Sequence, residues 1–141
     1  MIHQLNQMMT MMFHFSNKAE KIIRSKIYSE HNCIKVKPGK CRWNFRCSYN
    51  AVHEAIRKGD KKIAMVIYIT EGCPIIHFIN YRKGVYTDNT LGEWSSKYEY
   101  YFIKFIEKDD FWNVNYIFDR YRETLQNYLP FWVRIFNTRI F

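Results

Sequence analysis

Three side chains in the middle of the chain have the types and order needed to break an acyl bond: Cys47, His77 and Asp88. A thiolate is the nucleophile, an imidazole is the base that makes or holds it, and a carboxylate fixes the imidazole's tautomer. Cys47 opens the helical pattern Cys-Ser-Tyr-Asn-Ala-Val-His-Glu-Ala-Ile-Arg-Lys, which stops at Gly59-Asp60. Small and apolar residues at Ala51, Val52, Ala55 and Ile56 form a stripe at helical spacing that needs a core to face. Cys47 lies one turn before Ala51, on that stripe and at the helix start, where free backbone N–H groups and the helix dipole favour a thiolate over a thiol.

The other two residues lie on a predicted hairpin, Pro74 to Thr90. If Arg82-Lys83 is a two-residue turn, Tyr81 faces Gly84 and His77 lies directly opposite Asp88, near enough across the ladder to be held by it. If Gly84 instead takes the left-handed position of a bulge, His77 faces Asn89. Either partner orients a histidine, and Asp88 is preferred. Ile75, His77 and Ile79 alternate onto one side of their strand.

Other chemistries fit less well. His53 is about 120° around the helix from Cys47 and is a poor base for it. HExxH would need His where Arg57 stands, and the deaminase HxE would need Glu where Ala55 stands. The cysteines at 33, 41, 47 and 73 form no CxxC pair and no zinc spacing, so neither a metal nor a cofactor is expected. Cys33 and Cys73 read as free thiols filling space.

A cysteine at a helix start, with His and Asp following on adjacent antiparallel strands, resembles the papain-like and transglutaminase-like thiol enzymes. The likeness is one of residue order and element placement over about a third of the chain. The papain string Cys-Gly-Ser-Cys-Trp is absent, and Cys41 stands six residues before Cys47, where that family carries its oxyanion glutamine. The resemblance implies an α+β core with helices packed on a mainly antiparallel sheet. It also implies a Cys47-His77-Asp88 triad acting on an amide or isopeptide bond, with Asn44 or Trp43 joining the Cys47 N–H at the oxyanion. Water as acceptor would make a protease or deamidase, and an amine would make a transglutaminase.

The chain as a whole sets bounds on these readings. Its 141 residues suit one domain with a single core, and 48% hydrophobic with 18% aromatic content excludes disorder. Scarce Gly and Pro with abundant Asn, Ile, Lys and Tyr fit an AT-rich genome such as that of a bacteriophage or a low-GC bacterium. No apolar run approaches the roughly 18 residues of a membrane span, and Met1 to Phe15 lacks the basic start of a signal peptide, so a cytoplasmic protein without a membrane partner is expected. Residues 1–62 hold thirteen Lys/Arg against four Asp/Glu, whereas residues 63–141 hold nine of each, so the whole +9 excess precedes the first strand of the core. Lys35, Lys37, Lys40, Arg42 and Arg46 are the residues expected to meet an anionic partner: an acidic protein or peptide substrate, or nucleic acid. A basic binding protein without catalysis, of the kind a phage uses in host takeover or counter-defence, is the alternative function.

In chain order, the methionine-rich segment 1–15 reads as a loosely packed helix, and Asn17 with Glu20 caps a second helix through Ile22, Ile23 and Ile27. Asn32 to Lys40 is a loop or short strand ending in the Pro38-Gly39 turn, and Cys41 to Arg46 a loop whose aromatics plug the core or stack on a partner. Ile63 to Ile69 is a central strand covered on both faces, and Tyr98 to Ile106 a further strand, so the core spans 47–106. Asp109-Asp110 cap a long helix over 110–129 that Pro130 ends. The apolar tail, 131–141, docks back as a strand or forms an oligomer contact.

Overall fold

The computed structural model describes residues 2–42 and 46–136. It is an α+β fold in which helices α1 (Ile2–Glu30), α2 (Cys47–Lys58), α3 (Val114–Asn127) and α4 (Phe131–Phe136) accompany six strands: β1 (Cys33–Ile34), β2 (Val36–Pro38), β3 (Lys62–Thr70), β4 (Cys73–Arg82), β5 (Val85–Asp88) and β6 (Glu99–Ile106). The strand order is β1-β6-β3-β4-β5-β2, antiparallel except for β2 beside β5. Since β1 and β2 are separated only by Lys35 yet stand at opposite ends of that order, the sheet closes on itself as a small barrel. The stretch expected to be a loop or short strand is thus the piece that closes the sheet.

Alternation along β3 separates two cores. Ile63, Met65 and Ile67 face outward with Ile76 and Phe78 of β4, under Ala19, Ile23 and Ile27 of α1 and Ala51 and Ala55 of α2. Ala64 and Val66 face the barrel interior with Ile79 and Tyr100, ringed by Tyr68, Tyr86, Tyr98, Phe102 and Phe105. Full burial of a side chain such as Ile23 is worth roughly 1.5–3 kcal/mol. Among the described residues no helix is long and apolar enough to cross a membrane.

Five local expectations are corrected. The first two expected helices are one, running through Ser16 and Asn17 without a break, because neither glycine nor proline interrupts the pattern. Its buried stripe begins only at Ser16, so Met8, Met9 and Met11 are 49%, 60% and 42% exposed rather than packed. The β4–β5 turn is Lys83-Gly84, both left-handed (φ 46° and 85°), as a type I′ hairpin requires. Arg82 therefore pairs with Val85 and Asn80 with Thr87, two residues away from the preferred register and one from the bulged alternative. Asp109 and Asp110 lie in a 3-10 turn, Lys108–Asn113, that precedes α3, and no side chain caps α3. After Pro130 the chain forms α4 and docks as a helix rather than a strand: Val133 is buried in the outer core. Residues 137–141 of the expected tail lie outside the described residues.

Candidate active site

Cys47 is the first residue of α2, and Arg46 before it makes no side-chain cap, so the first-turn amides have no side-chain acceptor at the cap position. Two buried carboxamides lock this helix to the sheet. Asn50 Nδ2 donates to Thr90 Oγ1 at 3.0 Å, and Asn80 Nδ2 donates to the Ala51 carbonyl at 2.9 Å. The early end of β5 opens the space that the helix start occupies. β5 stops at Asp88, so among the described residues β4 has no strand partner on that side before Asn80. The Phe78 amide donates to Cys47 instead, as does the amide of Ser48.

His77 is buried at the barrel interior, with Tyr68 edge-on to its ring at 5.3 Å between centroids. Its Nε2 lies 2.8 Å from Asp88 Oδ2, and it is also hydrogen-bonded to the Cys47 thiol. With Nε2 committed to Asp88, Nδ1 is the ring nitrogen available to the sulfur. Asp88 is fully buried and accepts three further hydrogen bonds. Tyr100 Oη donates to Oδ2 at 2.8 Å, and the Thr90 and Leu91 amides donate to Oδ1 at 2.8 and 2.9 Å. The latter two close a side-chain turn that sets the carboxylate at the strand end.

These contacts decide the charges. Burial alone would lift the Asp88 carboxyl, but the His77 contact and the two amides outweigh it and hold it below the ordinary carboxylate range. Burial likewise opposes a charged imidazole, yet the bonds to Asp88 and Cys47 raise His77 to about 10. Burial pushes the Cys47 thiol up, and His77 with the Phe78 and Ser48 amides pulls it below its ordinary value. Tyr68, pushed up to about 12 chiefly by burial, and Tyr100, raised also by burial and by Asp88, both keep their protons. The arrangement favours a thiolate–imidazolium pair on a buried carboxylate.

The structure brings Cys47, His77 and Asp88 together. His77 reaches Asp88 diagonally, from beyond the paired part of the hairpin, rather than as a directly opposed pair. Asn89 is not the orienting residue: its Nδ2 donates to Asn80 Oδ1 at 2.9 Å and its Oδ1 accepts from the Lys40 amide at 3.2 Å. Trp43 and Asn44 lie outside the described residues. Of the five cations, Lys35, Lys37, Lys40 and Arg46 are exposed. Arg42 is not available to a partner, because its guanidinium pairs with Glu54 at 3.3 Å and meets His53 at 3.4 Å. Sequence reasoning missed Tyr100, Asn50 and Thr90, and it missed the far wall of the site. Cys47 opens on a cleft of about 470 Å³ lined by Arg46, Ser48, Tyr49 and Phe78 and, from α3, by Asn115 and Phe118. Among the described residues no group of three or more His, Cys, Asp or Glu side chains could hold a metal ion. No family model, curated protein or solved structure matches the chain.

Proposed function

We propose that the chain is a small thiol hydrolase or acyl transferase with Cys47 as nucleophile, His77 as acid and base, and Asp88 as the residue that orients His77. One observation carries the reading: a single buried imidazole is engaged on one side by the Cys47 thiol and on the other by the Asp88 carboxylate. In the proposed reaction the thiolate attacks an amide, isopeptide or glutamine carboxamide carbonyl. The C–S bond forms as the carbonyl π pair moves to oxygen, and on collapse the amine leaves with the proton held by His77. Water or a second amine, deprotonated by His77, then releases the acyl group and regenerates the thiol. The exposed Arg46 beside the nucleophile suits an acidic peptide or protein substrate.

Competition among the four free cysteines tests this. Iodoacetamide at pH 6, read by peptide mass spectrometry, is expected to label half-buried Cys47 ahead of exposed Cys33, and His77→Ala is expected to reverse that order. Preferential labelling of Cys33 in the unaltered protein would refute the reading.

A second reading rests on Lys35, Lys37 and Lys40. They are exposed along the barrel-closing segment and make no ion pair among the described residues, as an anion-binding edge would require. Binding to nucleic acid or an acidic protein through that edge would fall steeply with salt and be indifferent to Cys47→Ala.

A further inference from the structure

An acyl transfer through Cys47 puts negative charge on the substrate's carbonyl oxygen, and that charge needs donors fixed in advance. One donor is local: the Cys47 amide is at the first position of α2, where no carbonyl earlier in the helix can take it. The opposite wall of the same cleft is the first turn of α3. Two helix N-termini therefore meet at one cleft, and both dipoles favour an anion there. Asn115, the second residue of α3, supplies the side chain. It is exposed, it lines the cleft with Cys47, and its Oδ1 accepts a 3.0 Å hydrogen bond from the hydroxyl of Ser48, the residue next to the nucleophile. That bond fixes the plane of the carboxamide and occupies its oxygen. The Nδ2 hydrogens are left with no acceptor among the described residues.

We infer that Asn115 is the side-chain donor to the carbonyl oxygen of the acyl group attacked by Cys47, held for that purpose by Ser48. The inference rests on the thiol-enzyme reading. It also places the oxyanion donor after the nucleophile in the chain, on the covering helix, rather than in the loop before Cys47.

The experiment compares two reactions of one sulfur. With p-nitrophenyl acetate, the C–S bond forms while the carbonyl π pair becomes an oxyanion. The C–O bond then breaks, nitrophenolate departs with its electron pair, and water later cleaves the acetyl thioester to acetate. Iodoacetamide is displaced at its CH₂ carbon, releasing iodide, and no oxyanion forms at any stage. Asn115→Ala is expected to slow nitrophenolate release on the order of 100-fold while leaving the alkylation rate unchanged. Asn115→Asp, which keeps the acceptor for Ser48 but loses the donors, should show the same loss. Ser48→Ala, which frees the carboxamide to turn, should show a smaller one confined to the ester. Equal slowing of both reactions would make Asn115 a structural residue and overturn the inference, as would an unchanged ester rate in both Asn115 variants. If the unaltered protein released no nitrophenolate in a Cys47-dependent way, the enzyme reading and the inference would fall together.

Discussion

Asp88 and Glu54 are both buried carboxylates, at 0% and 5% exposure, and they have been put to different uses. Glu54, on α2, is met by three permanent cations: Arg57 and Lys61 at 3.0 Å and Arg42 at 3.3 Å. Burial alone would raise its carboxyl, and Lys61 and Arg57 bring it below its ordinary value. All three ion-pair partners are lysines or arginines, so the cluster clamps the helix to the loop before it and to the residue that precedes β3. Asp88 meets two amides, a tyrosine hydroxyl and one imidazole, and that imidazole leads to a thiol. Burial and acidity are common to both sites. What differs is that Asp88 is partnered by a group that titrates and in turn touches a nucleophile.

Replacing each carboxylate by its amide should separate the two uses. Asp88→Asn turns an acceptor oxygen into an NH₂ facing either the imidazole and Tyr100 or two backbone amides, and it leaves a buried imidazolium without its anion. Breaking a buried pair in this way costs about 3–5 kcal/mol. The effect should appear in chemical denaturation at neutral pH and shrink as pH falls below the ordinary carboxylate range, because the folded-state carboxyl titrates lower than the unfolded one. Cys47 alkylation should shift to higher pH. Glu54→Gln faces cations that reach water, Arg57 being 52% exposed, so the loss should be about 1–2 kcal/mol with the alkylation profile unmoved. If both variants shift the profile equally, the contrast between the sites is wrong.

The proton shared by Cys47 and His77 gives a smaller effect with a definite sign. His77 titrates at about 10 in the folded chain against an ordinary 6.5, whereas Cys47 titrates below its ordinary 9.0. Above pH 6.5, wherever the folded thiol has lost its proton and the unfolded one has not, the folded pair holds one proton on the imidazole and the unfolded chain holds one on the thiol, so there the pair adds no slope to stability. In Cys47→Ala the unfolded chain has lost its place for that proton, while Asp88 still holds the folded imidazole charged. Stability should then decline as pH rises from 6.5, with a slope approaching about 1.4 kcal/mol per pH unit relative to the unaltered protein. Parallel urea-denaturation profiles for the two proteins would show that no thiolate–imidazolium pair exists.

How far the site could be read from sequence follows the reach of the signals. The nucleophile's position is local: the stripe of Ala51 and Ala55 with the stop at Gly59 marks α2 within its own residues, and its start is where expected. The meeting of His77 with Asp88 is nearly local, being carried by one hairpin, and it survived an error in the turn. Nothing in the sequence marks Lys83 as left-handed, so the pattern alone centres the turn one residue early. Tyr100 was out of reach. Its side of β6 depends on a register with β3 that shifts between Met65 and Val66, and such an irregularity reverses alternation without a mark in the sequence. Asn115 was hidden in the same way by the 3-10 turn before α3, which sets the helix phase. The closure of the barrel by residues 33–38 has no local signal at all, since two two- or three-residue strands gain their ladders only from partners about 50 or more positions away.

Tyr100 gives the finest test of what distinguishes Asp88. Its hydroxyl shares Oδ2 with His77, so it stabilises the carboxylate and also competes for its charge. Tyr100→Phe removes a donor without stranding another, since Oδ2 keeps the imidazole, and should cost only about 1 kcal/mol. With the competitor gone, the anion acts more fully on His77, the imidazolium strengthens, and the thiolate becomes easier to form. Half-maximal alkylation of Cys47 should therefore move to lower pH, opposite in sign to Asp88→Asn, even though both variants are less stable. A general loosening of the barrel would move the two variants in the same direction. Opposed shifts are expected only if charge passes from Asp88 through His77 to the sulfur.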